Sequence, residues 1–171
     1  MFIVREQQNP DQAPRVGYVP GGSDMLHVGH INVLIAARDL CDHLVVGVAT
    51  DESLKRMKGR LPVIPHVERM RLVEALRIVD EVVPDLDQDK RLAWRNRRFD
   101  VLFKGDDWKD TPKGERLERE MKEVGAEVVY LPYTRSTSST ILRCFLAQEL
   151  GMGPMDDQVI GDHASERSLP L

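Results

Sequence analysis

The sequence predicts an α/β domain built on a doubly wound parallel sheet. Two observations carry this. Short β-branched runs recur along the chain, the clearest being His43-Leu-Val-Val-Gly-Val-Ala49. Between them lie segments whose apolar residues fall at helical spacing. That alternation implies parallel strands covered on both faces, and right-handed crossovers then give a Rossmann-like single domain. With 171 residues the chain is long enough for one domain with a real core.

The elements follow in order. Residues 1–14 are polar, with two prolines, and read as a flexible lead-in. The first strand covers 15–20 and runs into the Gly-rich turn Pro20-Gly21-Gly22-Ser23-Asp24. A helix over 28–40 is signalled by Val28, Ile31, Val33, Leu34, Ala36 and Leu40. The central strand is 43–49. A helix over 67–78 carries Met70, Leu72, Val73, Leu76 and Ile78. A short strand at 80–84, a helix at 87–99 and a strand at 100–104 come next. A charged helix at 113–124 and a strand at 127–131 precede a last amphipathic helix at 138–150, whose Ser and Thr residues suit a cap. Residues 151–171 lack periodicity and read as a flexible tail, leaving 15–150 as the domain.

Bulk composition narrows the function. Hydrophobic residues make up 42% and charged residues 30%, an ordinary soluble composition. No apolar run is long enough to span a membrane, and the first residues lack the basic-then-apolar order of a secretory signal, so a cytoplasmic protein is expected. Cys41 and Cys144 are far apart and belong to no CxxC pair, so both are expected as buried, reduced thiols. The net charge of −4 argues against a general nucleic-acid binder. Yet Lys55, Arg56, Lys58, Arg60, Arg69, Arg71 and Arg77 crowd one stretch against only Glu68 and Glu74. Such a run fits either a small anionic ligand or a solvated helix face.

In sheets of this kind ligands bind beyond the carboxyl ends of the strands. Three segments directly follow expected strands: 21–30, 104–108 and 133–140. In the first, Gly21 and Gly22 let the backbone approach a ligand, and the helix start offers free N–H groups to an anion. His27 and His30, three apart, share a helix face and could oppose charge developing on a phosphate. Ordinary histidines at a helix start would look the same. Zinc is disfavoured, because HExxH and further Cys or His ligands are missing. Neither a P-loop nor GxGxxG is present.

Gly21-Gly22-Ser23-Asp24-Met25-Leu26-His27-Val28-Gly29-His30 resembles the G-[TV]-[FY]-D-x-x-H-x-G-H motif of the cytidylyltransferase family, within the nucleotidyltransferase superfamily. The likeness extends through Val45-Val46-Gly47-Val48, Lys58-Gly59, Glu68-Arg69, Val79-Asp80-Glu81-Val82-Val83-Pro84, Gly105-Asp106-Asp107-Trp108 and Ser138-Ser139-Thr140. It is similar to bacterial glycerol-3-phosphate cytidylyltransferases and to cytidylyltransferases of phosphonate biosynthesis, such as those acting on phosphonoformate. The resemblance implies transfer of CMP from CTP to a small phosphate or phosphonate, with release of pyrophosphate.

It also implies roles. His27, His30 and Lys58 would be catalytic, meeting the triphosphate. Gly21, Gly22, Ser23, Gly29, Gly105, Asp106, Trp108, Tyr133, Thr134, Ser138, Ser139 and Thr140 would bind nucleotide, although Trp108 could equally be core. Lys58, Arg77 and Arg135 would meet the acceptor. Arg69 would be structural or lie at a dimer interface. Mg²⁺ would ride on the CTP phosphates with few protein ligands, so no protein metal site is expected. The partners would be CTP, a small anionic acceptor and a second copy in a homodimer, with no nucleic acid and no membrane.

Departures from the family pattern concern the acceptor. Gly22 and Ser23 stand where the family has Thr or Val and then Phe or Tyr, leaving space or a hydroxyl. The R-T-x-G-I-S-T-T segment reads Tyr133-Thr134-Arg135-Ser136-Thr137-Ser138-Ser139-Thr140, so the leading Arg is lost and Arg135 stands two residues on. These changes favour a small, highly charged acceptor of the phosphonoformate kind over glycerol 3-phosphate. The alternatives are an adenylyltransferase of the same superfamily, because HxGH does not read the base, and a nucleotide-binding regulator without catalysis.

Overall fold

Gly47 stands in the middle of the sheet because nothing larger fits: a Cβ there would lie 1.9 Å from the Tyr18 hydroxyl oxygen. Around that contact a computed structural model, describing residues 13–151, shows five parallel strands. The elements are β1 (Val16–Gly21), α1 (Val28–Arg38), β2 (His43–Ala49), α2 (Asp51–Lys58), α3 (His66–Glu74) and β3 (Glu81–Asp85). They continue with α4 (Lys90–Asn96), β4 (Val101–Gly105), a 3-10 turn (Asp106–Trp108), α5 (Pro112–Val124), β5 (Glu127–Leu131) and α6 (Ser139–Glu149). The strand order is β3-β2-β1-β4-β5. This is the Rossmann-like, doubly wound α/β sheet expected from the alternation.

Period-two alternation splits the core between the two faces. Val19, Leu44, Val46, Val48, Val101 and Phe103 pack with Leu34 and Ala37 of α1 and Val73 of α3. Tyr18, Val45 and Leu102 pack with Phe99 and with Leu117 and Met121 of α5. Tyr18 and Phe99 stack with centroids 4.7 Å apart.

Most elements lie within two residues of expectation, and three helices differ more. Helix α2 was not foreseen, because Ser53 and Leu54 are its only buried residues and they form no apolar stripe. Its signals are caps: Thr50 accepts from Ser53 N–H, and Gly59 ends it with φ 73°. Helix α3 stops at Glu74, short of the expected 78. Helix α4 is shorter than 87–99: Asp89 caps it by accepting from Arg91 N–H, and Arg97 leaves it extended to place Nε 2.8 Å from Glu81.

Cys41 is buried as expected, and burial pushes its thiol pKa up, but Cys144 on α6 is exposed. The correction has a simple cause: helix α6 buries Arg143 and Ala147 instead. No helix among the described residues is long and apolar enough to cross a membrane. The lead-in expected over 1–14 and the tail expected over 151–171 lie, apart from residues 13, 14 and 151, outside the described residues.

Candidate active site

From β1 the chain winds outward through β2 to β3, then crosses back to β4 on the other side of β1. The carboxyl ends of β1 and β4 are therefore the switch point, where a doubly wound sheet opens a crevice. A cavity of about 280 Å³ lies there.

His27 and His30 close the turn after β1 as a reciprocal cap on α1. His27 Nδ1 accepts from Gly29 N–H at 3.1 Å, and His30 Nδ1 accepts from the backbone N–H of His27 at 3.4 Å. An accepting Nδ1 fixes each neutral ring with its proton on Nε2, so each keeps one N–H to donate. The ring centroids are 4.0 Å apart. Burial lowers the pKa of His27. Burial, then the neighbouring His27 and Lys58, push His30 down to about 4. Both rings are thus neutral donors at neutral pH. Gly29 is required between them, since a Cβ there would meet the His27 ring at 2.8 Å.

The turn that carries these rings is held from three directions. Asp24 is buried and accepts from Val63 N–H at 3.1 Å, Ile64 N–H at 3.0 Å and Arg143 Nη2 at 2.7 Å. Ser139 Oγ donates to the Asp24 carbonyl at 2.7 Å. Arg69 is fully buried and donates to the carbonyls of Gly22, Ala49 and Ile64 while pairing with Asp51 at 2.6 Å. Its role within this chain is to hold the turn. Ser23 and Met25 both take φ of 50°, a left-handed conformation rare for such residues and sustained by this web.

Ser138 caps α6 by accepting from Ile141 N–H at 3.1 Å, and it lines the same cavity with Ser139 and Thr140. Two helix N-termini thus open on one space, each with free N–H groups. The loop before α6 is pinned where Asn32 Nδ2 donates to Thr134 Oγ1 at 3.0 Å and Tyr133 N–H donates to Asp106 at 3.1 Å.

The cavity gathers Gly21, Gly22, Ser23, His27, Gly29, His30, Lys58, Gly105, Trp108, Tyr133, Thr134, Ser138, Ser139 and Thr140, all expected from sequence. Three expected residues are elsewhere. Asp106 is exposed and occupied with Tyr133 N–H, and its neighbour Asp107 lines the cavity. Arg135 is exposed on the loop and outside the lining. Arg77 is exposed in the turn before β3, at the amino ends of the strands and so at the far edge of the sheet. Of the basic stretch, Lys58 alone lines the cavity. Partial burial, then Arg60, lowers its pKa.

A second cavity of about 430 Å³ adjoins the first and shares Pro20, Gly21, Gly22, Lys58, Lys104 and Trp108 with it. It is lined further by Asp85, Lys90, Lys113, Arg116 and Glu120, among Leu54, Met57 and Leu117. Trp108 packs against the Tyr18 side of the core and also borders both cavities. Asp24, Lys104 and Asp107 lie within the segments expected at the ligand end, but sequence reasoning assigned none of them a role of its own. Lys104, the residue before Gly105-Asp106-Asp107-Trp108, had the signal of a charge at the end of a buried strand.

A family model described as cytidylyltransferase-like matches residues 18–145. The chain belongs to the cytidylyltransferase-like family, whose members are nucleotidyltransferases. Bifunctional protein HldE of Streptomyces coelicolor is 44% identical over 126 residues, covering 71% of this chain and 26% of that protein. The chain thus spans about a quarter of that relative. FAD synthase of Pyrococcus horikoshii is 39% identical over 123 residues, covering 67% of this chain and 78% of that one. Glycerol-3-phosphate cytidylyltransferase of Bacillus subtilis is 37% identical over 125 residues, covering 72% and 90%. Among solved structures, the lipopolysaccharide core biosynthesis protein from Thermoplasma volcanium superposes with a TM-score of 0.62 at 26% identity, over 73% of this chain and all of that one.

Proposed function

We propose that this family member transfers CMP from CTP to a small phosphate or phosphonate acceptor and releases pyrophosphate. The observation that carries the reading is the convergence of two neutral histidine donors and two helix N-termini on one cavity at the β1/β4 switch point.

Such a site suits phosphoryl chemistry that needs no protein nucleophile. An acceptor oxygen forms a bond to the α-phosphorus, the bond from that phosphorus to the bridging oxygen of the β-phosphate breaks, and pyrophosphate leaves with the electron pair. The Nε2–H groups of His27 and His30 would meet the charge developing on the transferring phosphate. The α6 start at Ser138-Ser139-Thr140 would hold the departing phosphates. Lys58 lines both cavities and would face donor and acceptor alike.

A Mg²⁺ ion belongs to the same proposal. Asp107 is the only carboxylate lining the first cavity among the described residues. These residues fit an ion carried on triphosphate oxygens, with Asp107 as the available protein ligand. The ion would supply charge neutralisation.

The FAD synthase relatives support an adenylyl-transfer reading as the second choice, since the product in that name contains adenine. Thermal shift with CTP and with ATP separates the two, and pyrophosphate release with glycerol 3-phosphate and with phosphonoformate ranks the acceptors. We expect CTP to give the larger shift; a larger shift with ATP moves the assignment to adenylyl transfer. Binding of CTP with no release for any acceptor would make the protein a regulator. A homodimer in the cytoplasm completes the proposal, and light scattering tests its subunit number.

A further inference from the structure

We propose that Lys104 anchors the acceptor's attacking anion where the two cavities meet, with the rest of the acceptor in the second cavity. This rests on the transferase reading above.

Lys104 belongs to β4, one residue before its end, at the switch point. Its ammonium lies 4.2 Å from the centroid of the Trp108 ring. Among the described residues it makes no hydrogen bond, and no carboxylate lies within 4.0 Å. Of the other cations of the second cavity, Lys58 and Lys113 have no carboxylate within 4.0 Å among the described residues, and Lys90 and Arg116 are engaged. Lys90 pairs with Asp85 at 2.6 Å and donates to the Asp87 carbonyl at 2.5 Å. Arg116 pairs with Glu120 at 2.6 Å. Lys104 and Lys58 are the two cations that line both cavities. A partly buried ammonium without a carboxylate partner is costly until an anion reaches it.

Position decides which anion. The two histidines and Ser138-Ser139-Thr140 line the first cavity and not the second. In-line displacement requires the nucleophile to arrive opposite the leaving group. An acceptor entering from the second cavity would come from the side that the two histidines and Ser138-Ser139-Thr140 do not line, and Lys104 lines the space the two cavities share. The attacking oxygen is already ionised, so Lys104 need not move a proton. It holds the anion and offsets its repulsion from the triphosphate.

Charged groups face Lys104 from the surrounding elements: Lys58 of α2, Asp85 of β3, Lys90 of α4 and Asp107 of the 3-10 turn, with Lys113 of α5 over the same Trp108 ring. Burial, then Lys90, pushes Lys104 down to about 8, with Asp107 and Asp85 opposing. Its cationic form is therefore lost as pH rises through that value, and anion affinity falls with it.

Inorganic phosphate is the minimal probe, titrated calorimetrically into wild type, Lys104→Gln and Lys104→Arg, with CTP titrated in parallel. Lys104→Gln should weaken phosphate binding at least about thirtyfold, the scale of losing one partner of an enclosed charge pair, and leave CTP affinity within about threefold. Lys104→Arg should restore most of the phosphate affinity. From about pH 7 to about pH 9.5, affinity should fall for wild type and hold for Lys104→Arg, because arginine stays charged. Equal losses for CTP and phosphate, an unchanged phosphate affinity in Lys104→Gln, or no phosphate binding by wild type would each overturn the anchor. Failure of wild type to bind CTP would instead overturn the transferase reading, while a Lys104-dependent phosphate site would stand.

Discussion

The two cavities meet at shared residues yet are built from different materials. The first uses helix N-termini and two histidines fixed by backbone hydrogen bonds, so its donors are neutral and rigid. The second uses long charged side chains, among them Lys90, Lys113 and Arg116. Fixed backbone donors suit the triphosphate, which every nucleotide donor shares. Side chains can be exchanged one at a time, which suits an acceptor that differs between enzymes.

Breaking the support of the first cavity should have the largest effect. Asp24→Ala strips Arg143 of its buried carboxylate and should destabilise the fold by about 3–5 kcal/mol, read from urea unfolding. His30→Ala should lower kcat roughly a hundredfold to a thousandfold, as for loss of one transition-state donor. It also removes half of the α1 cap, about 1 kcal/mol of stability, so circular dichroism should still show a folded protein. An unchanged kcat would remove the histidines from the mechanism.

The histidines also set a pH signature. Because His30 is held down to about 4, the unfolded chain binds more protons than the folded one between that value and about 6.5. Stability contributed by the neutral ring is therefore present near pH 7 and lost as pH falls through that window. Activity, by contrast, should not fall as pH rises through about 6.5 in a profile of kcat; a loss there would mean that an imidazolium is the working form. The smallest effect is expected from Arg77→Ala, with KM for the acceptor changed less than about twofold, as for a surface substitution away from the site. A larger change would mean that Arg77 acts across a subunit contact.

The sheet was legible because short apolar runs, most of them β-branched, alternate with segments of helical spacing. Helix α2 was not, because its definition lies in Thr50 and Gly59 rather than in periodicity. The first cavity was legible through Gly21-to-His30 and the Ser138 start, where motif and strand end coincide. The second was not. Asp85, Lys104 and Glu120 lie on β3, β4 and α5, and no spacing in the sequence reports that the fold brings them to one space. Arg77 and Asp106 misled for a related reason: charge near a motif says nothing about which end of a strand it occupies, or which amide has already claimed it.

Asp24 has one further consequence, in the order of assembly. Its partners are the amides of Val63 and Ile64, 39 and 40 residues away, and Arg143, 119 residues away. Contacts of such separation close late, after shorter loops have formed. A chain emerging from the ribosome would have β1 and both histidines long before α6 exists to neutralise Asp24. Until then the turn carries a carboxylate facing an unfinished interior. The reactive pocket is therefore among the last parts of the domain to become itself, and a chain cut short before Arg143 would hold the motif without holding the site.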